Sequence, residues 1–288
     1  ALGSGSARGW SHIGVVRSIQ DAGVPIDIAC GSSIGALVAG ALAANFLDTL
    51  DEWVRALNWT DLLRFMDVRL PRSGIIEGDK ITDYFKQNLS DARIEDLSMP
   101  FAAVATDLNT GREVWLRQGS LIDAIRASVS LPGIFTPYQE GEHWLVDGGM
   151  VNPVPVSLCR EMGADIVIAV NLNSDIMGKS VIRRTNGSRQ RLHRRVTAFL
   201  NKRLPRADLS MFKLFEQGKP QRGPNLFEVI TTSIYITQDR ITKQRLAVDP
   251  PDVLVTPRLA QIGLLEFNRA DEAVEEGYRA MNLMMPLV

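Results

Sequence analysis

Residues 28–44 read IACGSSIGALVAGALAA, and no charged side chain interrupts the 20 residues between Asp27 and Asp48. A membrane span takes about 20 predominantly apolar residues, so that reading is tested first. Gly31, Gly35, Gly40, two serines and Asn45 dilute the stretch too far for it. The better reading is a buried strand over Ile26–Cys30, a tight turn, and a buried helix from Ile34 to Phe46. Ser33 then lies in the turn, boxed between Gly31 and Gly35. A Gly-x-Ser-x-Gly between strand and helix is the pattern of a nucleophile elbow. The flanking glycines remove Cβ atoms that would clash, the serine hydroxyl is lifted out, and the helix aims its first amides at developing negative charge. A glycine-rich turn without chemistry has the same local composition, so the serine needs partners.

The segments on either side repeat the alternation of strand and helix. A glycine-serine loop, Gly3 to Gly9, runs into a helix pattern over Ser11–Ala22, which Pro25 ends. Helices are expected at Leu47–Leu57 and Asp79–Leu89. PFAAVATDLNTGREVWLRQG, residues 100–119, reads as a core strand, a turn at Asn109–Gly111 and a second strand. A short helix follows at Ser120–Ala127. HWLVDGG places a strand that ends at Asp147, ADIVIAVNL is a buried strand of parallel type, and a helix over Leu226–Leu246, a strand at Asp252–Thr256 and a helix from about Phe267 complete the chain. The expected class is α/β, with helices on both sides of a mainly parallel central sheet, in one domain over residues 1–288.

The bulk numbers exclude little. The chain has 288 residues, 45% hydrophobic and 23% charged, with net charge −1. Nothing global draws it to nucleic acid. Cys30 and Cys159 sit in apolar segments and read as buried thiols in a reducing compartment. No signal peptide or membrane span is evident, so a cytoplasmic location is expected. A few strand residues are expected to precede Ala1 in the natural protein. The charge is uneven: residues 179–224 hold 13 Lys and Arg against 2 Asp and Glu, leaving 19 against 31 elsewhere. Leu192, Val196, Phe199 and Leu200 share a helical face flanked by arginines, so this stretch reads as an element that meets a membrane surface or as a solvated insertion. RNA binding ranks below both, since phenylalanine is its only aromatic. Residues 61–78 and this insert are the two candidate lids.

A serine nucleophile needs a base. The histidines are His12, His143 and His193. His12 lies early in a helix and His143 at a strand entry, both read as structural. His193 stands between arginines, a poor place for a neutral imidazole. Asp147 is the stronger partner: it ends an apolar strand before Gly148-Gly149, at the sheet edge where α/β proteins build their sites. Partial burial and a hydrogen bond to Ser33 would raise its competence as a base. The third element is GSGSARG, residues 3–9. It lacks the spacing of a dinucleotide fingerprint and the Gly-Lys-Ser/Thr of a phosphate loop. It instead sets the amides of Gly5 and Ser6 beside Arg8, which suits an oxyanion or a phosphate ester.

GSGSARGWSHIGVVRSI, GSSIG and DGG, in this order and spacing, resemble the patatin-like phospholipases, in particular the bacterial branch similar to neuropathy target esterase. FAAVATDLNTGREVW and AIRASVSLPGIF resemble the same branch, and the likeness covers Leu2 to about Val170. It implies a three-layer α/β/α patatin-like fold and a lipid acyl hydrolase with a Ser-Asp dyad, no catalytic histidine, no metal and no cofactor. Carried over, Ser33 is the nucleophile, Asp147 the base, Gly31 and Gly35 the elbow, and Gly5, Ser6 and Arg8 the oxyanion loop. The family loop is usually all glycine before its arginine; Ser4 and Ser6 depart from it here, and a serine Cβ narrows the space for an acyl chain. The implied substrates are phospholipids or lysophospholipids; peripheral membrane contact through residues 179–224 is an expectation from the charge pattern of that stretch, beside the solvated insertion. The rival readings are a catalytically silent lipid-binding or regulatory protein, a serine esterase or peptidase using His193, and a nucleotide-binding protein.

Overall fold

Strand β2 (Phe101–Asp107) is the spine of the sheet, and all seven of its residues are buried. Its side chains alternate in the manner of any strand covered on both faces. Phe101, Ala103 and Ala105 enter one apolar cluster, while Ala102 and Val104 enter the other. In the computed structural model of the chain the described residues are 1–58, 92–176 and 226–288. The helix expected at 79–89, both candidate lids and His193 lie outside them.

On one edge β2 pairs antiparallel with β3 (Glu113–Leu116). The other edge is shared by two strands in succession. β1 (Ala29–Ser32) runs parallel to residues 101–104, with Ser32 opposite Val104. β5 (His143–Asp147) runs antiparallel to residues 105–107, with Asp147 opposite Ala105. The carboxyl ends of β1 and β5 therefore meet head to head at adjacent positions on β2. That meeting puts Ser33 beside Asp147. β4 (Tyr138–Glu140), a short strand that the sequence pattern did not mark, forms a hairpin with β5.

Beyond β1 the sheet continues through the first residues of the chain. Leu2 bridges in parallel to both Gly31 and Val170, joining β1 to the parallel pair β6 (Ile168–Val170) and β7 (Val253–Val255). The sheet is thus parallel from β7 to β2 and antiparallel in β3, β5 and β4. Part of this mixture follows from connectivity, because β3 returns on β2 and β5 on β4 through short turns, whereas the parallel strands are reached by helical crossovers.

Five helices share the larger cluster: α1 (Ser11–Asp21), α2 (Ile34–Ala43), α3 (Leu47–Ala56), α4 (Leu121–Ser128) and α7 (Ala270–Met284). α2 is buried at every residue, which is why its sequence is apolar all round. α5 (Val156–Glu161) covers the opposite face with Leu158 and Cys159. α6 (Leu226–Val248) reaches the same face through Leu246. The layers are therefore α/β/α. No helix among the described residues is long and apolar enough to cross a membrane.

Candidate active site

The turn between β1 and α2 holds Ser33 at φ 58° and ψ −128°, a left-handed conformation unusual for a residue with a Cβ. The flanking glycines make it feasible. A Cβ on Gly31 would fall 2.3 Å from the Ala36 nitrogen, and one on Gly35 2.1 Å from the Leu2 carbonyl oxygen. The Ser33 N–H donates to Ser128 Oγ at 2.9 Å, and that hydroxyl donates to the Val104 carbonyl at 2.6 Å. Ser128, fully buried at the end of α4, thereby pins the elbow to the spine strand.

Ser33 Oγ donates to Asp147 Oδ2 at 2.5 Å. The other carboxylate oxygen, Oδ1, accepts from the Gly149 N–H at 2.7 Å. Thr106 Oγ1 donates to the Asp147 carbonyl at 2.9 Å, so both ends of the residue are fixed. Asp147 is 1% exposed, and its pKa is raised to about 6 by burial, with the bonds from Ser33 and Gly149 pulling the other way. A carboxyl at that value is ionised at neutral pH yet far more basic than one in water. The pair is a hydroxyl aimed at a base.

The Gly3–Gly9 loop crosses in front of this pair. Ser4 N–H donates to the Pro153 carbonyl at 2.8 Å and Ala7 N–H to Leu264 at 3.2 Å, which anchors the loop on both sides. Ser6 has φ 51°, and its hydroxyl donates to the Leu264 carbonyl at 2.7 Å. Between the anchors, the amides of Gly5 and Ser6 meet no acceptor among the described residues. Two free N–H groups at a buried loop form a ready anion cradle. The third residue expected there is placed otherwise. Arg8 is 3% exposed and donates from Nε to the Ile262 carbonyl and from Nη2 to Tyr235 Oη, both at 3.0 Å, with its guanidinium 4.7 Å from the Tyr235 ring centre. Its charge is turned to α6 and away from the cavity, and only its N–H touches the loop, donating to the Gly5 carbonyl at 3.3 Å.

Ser33, Asp147, Gly5 and Ser6 line one wall of a cavity of about 150 Å³. The rest is mostly apolar, with Leu37, Ile125, Leu131, Phe135 and Phe267 prominent. Such a wall favours a hydrocarbon chain over a polar substituent. Neither His12 nor His143 lines it. His12 is buried with Nε2 2.7 Å from the Gly3 carbonyl, and burial lowers its pKa to about 4, so it is a neutral donor that braces the loop. His143 Nδ1 lies 2.9 Å from Asp107 Oδ2 at the surface. Cys30 and Cys159 are free and buried; the neighbouring Cys159 and burial push the Cys30 thiol up, and Cys30 Sγ donates to Met162 Sδ at 3.4 Å. Two polar residues of the site carry no sequence signal that marks them: Ser128, inside an ordinary helix end, and Gln238 on α6, which also lines the cavity.

The family model for patatin-like phospholipases matches residues 1–160, the span that supplies the loop, the elbow and Asp147. The chain belongs to the patatin-like phospholipase family. An uncharacterized NTE family protein of Mycobacterium tuberculosis is 33% identical over 96% of this chain and 88% of its own length. The lysophospholipase NTE1 of Pyricularia oryzae is 30% identical over 96% of this chain. Human patatin-like phospholipase domain-containing protein 6 is 36% identical over 60% of it. The chain spans only 18% and 13% of those two proteins. Among solved structures, VipD from Legionella pneumophila is similar over 99% of this chain and 66% of its own, with a TM-score of 0.50 and 15% identity, a likeness of fold. Patatin-like membership supports lipid hydrolase activity.

Proposed function

We propose that this protein is a serine lipid acyl hydrolase that cleaves carboxylic esters of phospholipids or lysophospholipids through an acyl-enzyme. The observation that carries the reading is the 2.5 Å hydrogen bond from Ser33 Oγ to the buried Asp147 carboxylate, at the wall of an apolar cavity. The fatty acyl chain lies along the apolar wall with its ester carbonyl at the Gly5–Ser6 amides. Ser33 Oγ adds to the carbonyl carbon while Asp147 takes its proton. The two amides hold the resulting oxyanion, and losing one such donor costs about 3 kcal/mol of transition-state stabilisation. Collapse breaks the ester bond, and Asp147 returns the proton to the departing alcohol oxygen. Water then repeats the sequence on the acyl-enzyme and releases the fatty acid.

Arg8 supports this chemistry at one remove, by fastening the loop to α6. The lipid class is tested by fatty-acid release from a panel of diacyl phospholipid, lysophospholipid and simple aryl ester, with Ser33→Ala as control. Release by the native chain and none by the variant is the expected result. A native chain that binds lipid but hydrolyses no member of the panel would favour a silent lipid-binding role instead.

A further inference from the structure

The dyad has a third polar neighbour that no sequence motif marks. Gln238 comes from α6, beyond the span that matches the family model, and is 4% exposed. Its Oε1 accepts from Asn173 Nδ2 at 3.1 Å, and Asn173 is held by its own N–H on Asn171 Oδ1 at 3.0 Å. These two asparagines follow β6, so the carboxyl edge of the parallel half of the sheet holds one end of the carboxamide. The other end faces Asp147. The point that a Cβ on Gly149 would occupy lies 2.5 Å from Gln238 Nε2 and 2.9 Å from Asp147 Oδ1. The amide and the carboxylate are therefore no further apart than those two distances together, a gap that one bridging water oxygen spans. A carboxylate on that side also favours the orientation with Nε2 turned toward it. Gln238 lines the cavity, and Nε2 meets no acceptor among the described residues.

A side-chain N–H that faces a cavity and meets no protein acceptor there is free to hold a bound oxygen. In the proposed reaction one oxygen must stand next to Asp147 in each half: the departing alcohol oxygen during acylation and the attacking water during deacylation. We propose that Gln238 is a catalytic residue whose Nε2–H holds that oxygen, and above all the hydrolytic water; this rests on the acyl-hydrolase reading above. In deacylation the water oxygen accepts from Nε2, gives one proton to Asp147 and bonds to the acyl carbon. The carbonyl electron pair moves onto the oxygen held by the Gly5 and Ser6 amides. On collapse the bond to Ser33 Oγ breaks, and that oxygen recovers the proton from Asp147. The products are a free fatty acid and the starting serine.

The experiment compares the native chain with Gln238→Leu, and with Gln238→Met as a second apolar variant of similar shape should the first not fold. Two rates are read. Phosphonylation by a fluorophosphonate probe needs Ser33 and its base but no water. Turnover of p-nitrophenyl butyrate needs both half-reactions. The expected result is phosphonylation within threefold of native and turnover lowered at least tenfold, with a p-nitrophenol burst and a butyryl adduct on Ser33 seen by intact mass. Native turnover in the folded variant would overturn the proposal. So would turnover and phosphonylation falling together, since the side chain would then support the dyad or the fold and hold no water. A native chain that takes no phosphonate label would instead defeat the acyl-hydrolase reading itself.

Discussion

Replacing Asp147 with asparagine keeps the side-chain shape and removes the base. Burial holds this carboxyl at about 6 against 3.8 in the open chain. The gap is about two pKa units, and one unit is about 1.4 kcal/mol, so keeping the group ionised inside the fold costs about 3 kcal/mol. The folded chain binds this proton more tightly than the unfolded one. Its stabilising contribution is therefore full below pH 3.8 and lost as pH rises through 6. The substituted side chain, which carries no charge, escapes that loss. Its Oδ1 accepts from Gly149 and its Nδ2 donates to Ser33 Oγ, while the Ser33 hydroxyl proton turns to the cavity that Ser33 lines. Urea unfolding should find Asp147→Asn more stable than native at pH 7.5 by up to about 3 kcal/mol, the difference shrinking between pH 6 and pH 4. Ester hydrolysis should fall by about 10²–10⁴, the usual worth of a positioned base, while native activity shows an acid limb near pH 6. A variant no more stable than native at pH 7.5, or native activity that is flat down to pH 5, would mean that Asp147 is not a buried, ionised base.

Ser128→Ala removes the acceptor for the Ser33 N–H and leaves the Val104 carbonyl without that hydroxyl, so stability should fall by about 1–3 kcal/mol. Its kcat should drop with KM little changed, because the elbow shifts and the acyl cavity does not. Arg8→Met frees Tyr235 Oη and the Ile262 carbonyl, and hydrogen exchange should quicken around residues 234–240 of α6. Arg8→Lys should restore little, since one ammonium cannot reproduce the fork that serves both acceptors. The basic residues of 179–224 should bind anionic vesicles at about 1 kcal/mol each near the surface, which co-sedimentation of the chain with and without that segment measures.

Much of the site is legible along the chain because its chemistry is local. The elbow is written in five consecutive residues, and Asp147 in a strand that stops at two glycines. Their meeting is not local. It depends on β1 and β5 sharing one edge of β2, whose residues Phe101 to Ala105 pack between two apolar clusters. The strands are also shorter than the apolar runs that announce them. Residues 164–172 read as one strand, yet only Ile168–Val170 pair with β7, because pairing ends where the partner does. Arg8 was legible as a charge beside free amides, but its direction depends on Tyr235, more than two hundred residues away. Gln238 and Ser128 had no legible role, since a lone amide or hydroxyl acquires one only from what the fold sets against it.

Whether Ser33 is a nucleophile served by Asp147 is measured by phosphonate labelling followed by peptide mapping, run from pH 4.5 to pH 8. A single adduct should form on Ser33, absent in Ser33→Ala and slowed in Asp147→Asn, with a labelling rate that falls below pH 6 as Asp147 takes up its proton. An adduct on another residue, or labelling as fast without Asp147 as with it, would rule out the Ser33–Asp147 dyad.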